Sequence, residues 1–197
     1  MKTLTEKDYD EAAKILGCKK SVIKAVADIE SAGSGFLEDG KPVILFEGHV
    51  FYRNTAGKFY KSHPNICFPK WDRSKYETGP TKEIRGQKEW LDFFEAAKLD
   101  EPAAIQSCSW GKFQILGENY SVCGFDSPLE FAQSMFRSEG EQLKAFINFV
   151  KFNHYDVFLK KLDFTSFAKM YNGPGYAKNK YDEKIKAAYL KYEKEGG

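Results

Sequence analysis

Five times along this chain a Ser, Thr or Asp stands immediately ahead of an apolar stripe of helical period: Thr5, Asp100, Ser127, Ser138 and Asp163. A side-chain oxygen there accepts a hydrogen bond from a first-turn N–H that has no partner inside the helix, so each position predicts a helix start. After Thr5, the residues Tyr9, Ala12, Ala13 and Leu16 share one face, and Gly17 supplies a stop. A second helix from about Ser21 turns Val22, Ala25, Val26 and Ile29 inward and ends at the glycine-rich stretch 31–35. Helical patterning returns near Gln87, with Trp90, Leu91, Phe94 and Ala97 on one side. Asp100, with Pro102 in the first turn, begins a short helix interrupted at residues 107–111. Ser127 with Glu130, and Ser138 with Glu141, have the form of capping boxes and start two runs that reach about Phe152. Asp163 starts another, with Phe164, Phe167, Ala168 and Tyr171 facing inward until Asn172, Gly173, Pro174 and Gly175 break it. A last amphipathic helix carries Ile185, Ala188, Tyr189 and Tyr192 on one face and lysines on the other.

The period changes in one place. EDGK at 38–41 predicts a turn and PVILF at 42–46 a short apolar strand. Residues 48–80 mix glycine, proline, aromatics and basic side chains, which predicts an irregular lobe with a short helix or hairpin. The expected fold class is therefore mainly α (α+β), in a single domain over 1–197.

A chain of 197 residues can bury a full core without disulfides or metals. Its cysteines, Cys18, Cys67, Cys108 and Cys123, are far apart, and its three histidines lack zinc-ligand spacing, so free thiols are expected, with no metal and no cofactor. The net charge of +2 excludes a polyelectrolyte binder of the whole-molecule kind. Charge is uneven, however. Residues 51–85 carry eight basic side chains against three acids, and residues 169–197 seven lysines against four acids. Such patches suit an anionic surface, and equally an ordinary solvated face. The N-terminus, MKTLTEKDYDEAAK, is charged throughout, so no signal peptide is expected and synthesis is placed in the cytoplasm.

Four features could carry chemistry. Glu30 follows buried Ile29 and ends its helix, where the macrodipole is negative. Partial burial and that dipole both disfavour the carboxylate, so both should raise its pKa, as a glycosidic general acid requires. Glu47 follows the apolar strand and precedes Gly48; two carboxyls facing one another across a cleft are the minimum for glycoside hydrolysis. SWGKFQI at 109–115 suits a tight turn, with Ser109 and with Gln114 able to bond sugar hydroxyls and N-acetyl groups. AKMYNGP at 168–174 brings the Tyr171 hydroxyl and the Asn172 amide to a helix end. Taken singly, each also fits a solvated charge or a capped helix terminus.

Taken in order, they resemble something known. ES at Glu30 and Ser31, SxGxxQI at 109–115 and AxxYNxG at 168–174 are similar to motifs of goose-type lysozymes and lytic transglycosylases, with Pro174 standing where that group has its final Gly. IESAGSGFL at 29–37, ILFEGH at 44–49, HP at 63–64 and SCSWG at 107–111 resemble the N-acetylmuramidase domain of phage endolysins, and the likeness runs from about Val22 to Leu190. Cys67 and Cys108 replace small residues of that pattern.

The resemblance implies a lysozyme-like fold, with a helical lobe, a small β-hairpin-containing lobe and a cleft between them. It implies hydrolysis of the β-1,4 bond between N-acetylmuramic acid and N-acetylglucosamine, with Glu30 as acid and Glu47 as second carboxylate. Ser109, Gln114, Tyr171, Asn172 and His49 are the expected substrate contacts, and Trp110 is assigned to the core. The expected partner is the peptidoglycan glycan strand, reached in the periplasm after release by a holin, by a monomer that binds no nucleic acid. The basic C-terminal helix is either a surface element or a contact to anionic outer membrane. A lytic transglycosylase, which needs only the acid, and a non-catalytic wall binder are the competing readings.

Overall fold

The structure, a computed structural model, describes residues 3–30 and 33–196, with the side chains of Glu30 and Pro174 outside the description. In chain order it runs α1 (Glu6–Leu16), α2 (Lys20–Glu30), β1 (Ile44–Phe46), α3 (Gly48–Asn54), α4 (Lys82–Leu99), α5 (Glu101–Gln106), β2 (Cys108–Trp110) and β3 (Ile115–Leu116). It continues with α6 (Pro128–Arg137), α7 (Glu139–Phe152), α8 (Asp156–Lys160), α9 (Phe164–Asn172), α10 (Tyr176–Asn179) and α11 (Tyr181–Lys194). All five expected caps form: Thr5, Asp100, Ser127, Ser138 and Asp163 accept from first-turn amides. Thr81 is a sixth; it bonds the Ile84 amide and starts α4 before Gln87.

The inner face of α4 also differs from expectation. Gly86, Glu89, Trp90, Phe93 and Ala96 are buried, while Leu91 and Phe94 are exposed. Both stripes contain Trp90 and both have helical period. What selects the first is the neighbour on that side, β1, together with a hydrogen bond from the Trp90 indole to the Pro42 carbonyl (2.9 Å).

The β lobe is a three-stranded antiparallel sheet ordered β1-β2-β3. Its central strand is drawn from residues 107–111, which by pattern only interrupt a helix. Ile44 pairs with Trp110, Leu45 with Ser109 and Phe46 with Cys108, and Trp110 pairs on its other side with Ile115. Because side chains alternate across a strand, Ile44, Phe46, Cys108 and Trp110 face the core, and Leu45, Ser109 and Glu47 take the opposite face. Trp110 is core, as assigned; its indole N–H reaches the Ile105 carbonyl at 3.0 Å. All four cysteines are free thiols, three of them buried.

The C-terminal helix is built into the fold. α11 packs on α2 and α9, burying Ile185 and Tyr189. Ser21 donates to Glu193 at 2.5 Å, and the Tyr192 hydroxyl bonds Asp28. α11 thus braces the helix that ends at Glu30.

Candidate active site

Glu47 caps α3 with its backbone and leaves its side chain uncommitted to that helix. The carboxylate is held from two other elements instead. The Tyr76 hydroxyl donates to Oε2 at 3.0 Å, and Ser109 Oγ to Oε1 at 3.4 Å across the sheet. His49 Nδ1 lies 3.7 Å from the same Oε2 and 3.2 Å from the Tyr76 hydroxyl. Burial, and then the Glu47 charge, push the Tyr76 hydroxyl well above its ordinary range, so it remains a donor. Gly48 is required where it stands. A Cβ there would come within 2.3 Å of the Phe68 ring and 2.8 Å of the Ile66 carbonyl.

Glu30 is the last residue of α2. Its side chain, like Ser31, lies outside the described residues. Residues 33–35 are held in place. Buried Glu139 accepts from the Gly35 amide at 2.7 Å, and Lys112 donates to the Gly33 carbonyl at 2.8 Å while pairing with Glu139 at 3.5 Å. Gln142 bonds the Lys112 amide at 2.7 Å, in the space that Gly111, at φ +69°, leaves open. Gly33 is thereby tied to the turn between β2 and β3, and Gly35 to α7.

Beside these parts lies a groove of about 560 Å³, whose lining stops short of Glu47. Leu45 lines it from β1, Gly111 and Gln114 from the turn between β2 and β3, Ser34 from the loop after α2, and Glu89 from α4. Arg73, Lys82, Arg85 and Lys112 make it cationic against Glu77 and Glu89, which favours an anionic ligand.

The remaining expected contacts sit to one side. Gln114 holds a left-handed backbone (φ 49°) and gives its amide to the Gly111 carbonyl at 2.9 Å, stabilising the turn from which it faces the groove. Tyr171 donates to the Phe113 carbonyl at 2.8 Å and packs against Phe146 and Phe167, so it buttresses the same turn. With Asn172 and Asn119, both residues line an adjoining cavity of about 290 Å³. Structure thus gathers Glu47, His49 and Ser109 at one place, and Gln114, Tyr171 and Asn172 at another, with Gln114 common to cavity and groove.

Two residues of the site escaped the sequence reading. Tyr76 lies in the irregular lobe, and nothing local marks it as the partner of Glu47. Glu89 had a signal: it is an acid inside a stripe of otherwise apolar or small residues, Gly86, Trp90, Phe93 and Ala96. It is 5% exposed, accepts from the Phe46 amide at 2.7 Å, and burial raises its pKa to about 7, with Asp92, Glu77 and Glu47 adding like charge. Asp92, a turn away, is also raised to about 7, by burial and then by Glu77 and Glu95.

The N-acetylmuramidase family model matches residues 19–193. The crystal structure of Burkholderia AP3 phage endolysin superposes with a TM-score of 0.89 at 32% identity, covering 100% of this chain and 73% of that one. No curated protein matches the chain. The protein belongs to the N-acetylmuramidase family, a glycoside hydrolase acting on peptidoglycan with a lysozyme-like fold.

Proposed function

We propose that the protein hydrolyses the β-1,4 bond between N-acetylmuramic acid and N-acetylglucosamine, as a single catalytic domain that lyses a phage host. Glu30 protonates the leaving oxygen. Glu47, anchored by Tyr76 and Ser109, steadies the oxocarbenium-like state or activates water. The observation that carries the reading is the placement of Glu47. It sits on the non-core face of the sheet, one residue beyond β1, with its charge held by donors rather than by a helix cap. Glu30, the expected acid, is the last residue of α2, the end at which the macrodipole is negative. One neutral and one charged carboxyl is the division of labour that glycosidases use.

Synthesis in the cytoplasm with action in the periplasm after release agrees with the endolysin likeness. Among the described residues, no helix is long and apolar enough to cross a membrane.

Mass spectrometry of purified peptidoglycan, digested by the parent protein and by Glu30→Gln, tests the reading. Fragments with a reducing N-acetylmuramic acid end, absent with the variant, are expected. Anhydro-muramic ends would make the enzyme a lytic transglycosylase, and no fragments from the parent would leave a wall binder. A Glu47→Gln enzyme with undiminished turnover would remove Glu47 from the mechanism.

A further inference from the structure

Of the three tryptophans, Trp90 and Trp110 are 2% and 1% exposed, while Trp71 is 61% exposed. Trp71 stands in a concavity of about 670 Å³ beside Tyr60, itself exposed, over Pro64 and Pro69. Two large rings left in water around prolines present a flat apolar face, a feature that marks a binding surface. The rim is cationic, with Lys70, Arg73 and Lys75. Among the described residues none of the three has a carboxylate partner within 4 Å. Asp72, the acid of the rim, is already engaged. It accepts from the Ser74 hydroxyl at 2.8 Å and amide at 2.9 Å, and those bonds hold its carboxyl below the usual range.

The concavity adjoins the site. Arg73 lines both it and the groove. The Trp71 ring lies 5.9 Å from that of Tyr76, the residue that holds Glu47.

From this arrangement we infer that the Trp71 concavity is a second wall-binding subsite that takes a peptide-bearing muramic acid residue of the glycan strand. The sugar's C–H face lies on Trp71, and the stem-peptide carboxylates meet Lys70, Arg73 and Lys75. The inference rests on the peptidoglycan reading above. A pyranose carries C–H groups on one face, and the lactyl-linked peptide carries free carboxylates beside it, so one ligand supplies both an apolar face and an adjacent anion. Without the peptide, only the single lactyl carboxylate that the amidase leaves on each muramic acid would face the three cations.

Soluble glycan strands with their peptides, and the same strands stripped by an amidase, provide the test. The parent is expected to favour the peptide-bearing strand about tenfold in kcat/KM, a preference worth one or two charge contacts. In the K70S/K75S variant that preference should fall close to unity. Trp71→Ala should raise KM about tenfold on both strands. Trp71 also reports binding directly: a disaccharide-tetrapeptide should quench the exposed tryptophan, and W71F should lose that response. A K70S/K75S preference equal to the parent's, or equal quenching by dextran sulfate, would overturn the inference by marking a general cationic face. If the parent releases no sugar from either strand, the hydrolase reading has failed, and the quenching titration decides the subsite by itself.

Discussion

Replacing Glu89 by Gln should make the protein less sensitive to rising pH. The Glu89 carboxyl is buried between α4 and β1, accepts the Phe46 amide and faces the acids Asp92, Glu77 and Glu47, and it shares its groove with the cations Arg73, Lys82, Arg85 and Lys112. Burial, and then those like charges, raise its pKa from 4.5 to about 7. Folded protein thus binds this proton more tightly than the unfolded chain does. The resulting stability is complete below pH 4.5 and is lost as pH rises through about 7. At about 1.4 kcal/mol per pH unit, the gap amounts to about 3 kcal/mol. Gln keeps the acceptor for the Phe46 amide and has no proton to lose. Urea unfolding at pH 5, 6, 7 and 8 should therefore show the variant gaining about 3 kcal/mol on the parent across the series. In a chain of this size that corresponds to about 6–12 °C in Tm. Asp92 remains in both proteins; relieved of the Glu89 charge, it loses less stability as pH rises, which adds to the variant's gain. Parallel stability curves would refute the argument, since they would mean that the folded Glu89 ionises as readily as in the unfolded chain.

Tyr76→Phe removes a charge-assisted hydrogen bond to Glu47 without changing the ring that packs beside Trp71. Turnover on soluble glycan should fall about tenfold or more while Tm moves by only a few degrees, and unchanged turnover would free Glu47 from this anchor. Gly48→Ala places a methyl 2.3 Å from the Phe68 ring, so calorimetry should record a loss of about 1–3 kcal/mol. Truncation after Lys180 strips α11 from α2, so activity should drop equally on intact cells and on purified wall. A loss confined to intact cells would instead give the basic helix a role at the outer membrane.

Helix starts and stops were legible because they are local. Thr5 with Asp8, Ser127 with Glu130 and Asp163 with Ser166 act over three residues, and Gly17 adopts the left-handed geometry its place predicts. Glu30 and Glu47, the carboxyls proposed for catalysis, were singled out by the strings they stand in, at the end of a helix and just beyond a strand. What depended on distant partners was not. Residues 108–110 become the central strand only because β1, more than sixty residues earlier, offers an edge to pair with. Choosing Phe93 over Phe94 as the inner residue of α4 depended on which side met that strand. Tyr76 reaches Glu47 across 29 residues of irregular chain, and Gly35 meets Glu139 across 104. Sequence alone determined which residue types stand at each helix boundary and which carboxyls stand near glycine-rich turns. Tertiary structure decided that Glu89 is buried, that Glu47 is held by donors and which surface is cationic, because desolvation and hydrogen bonding are set by neighbours that no local period can specify.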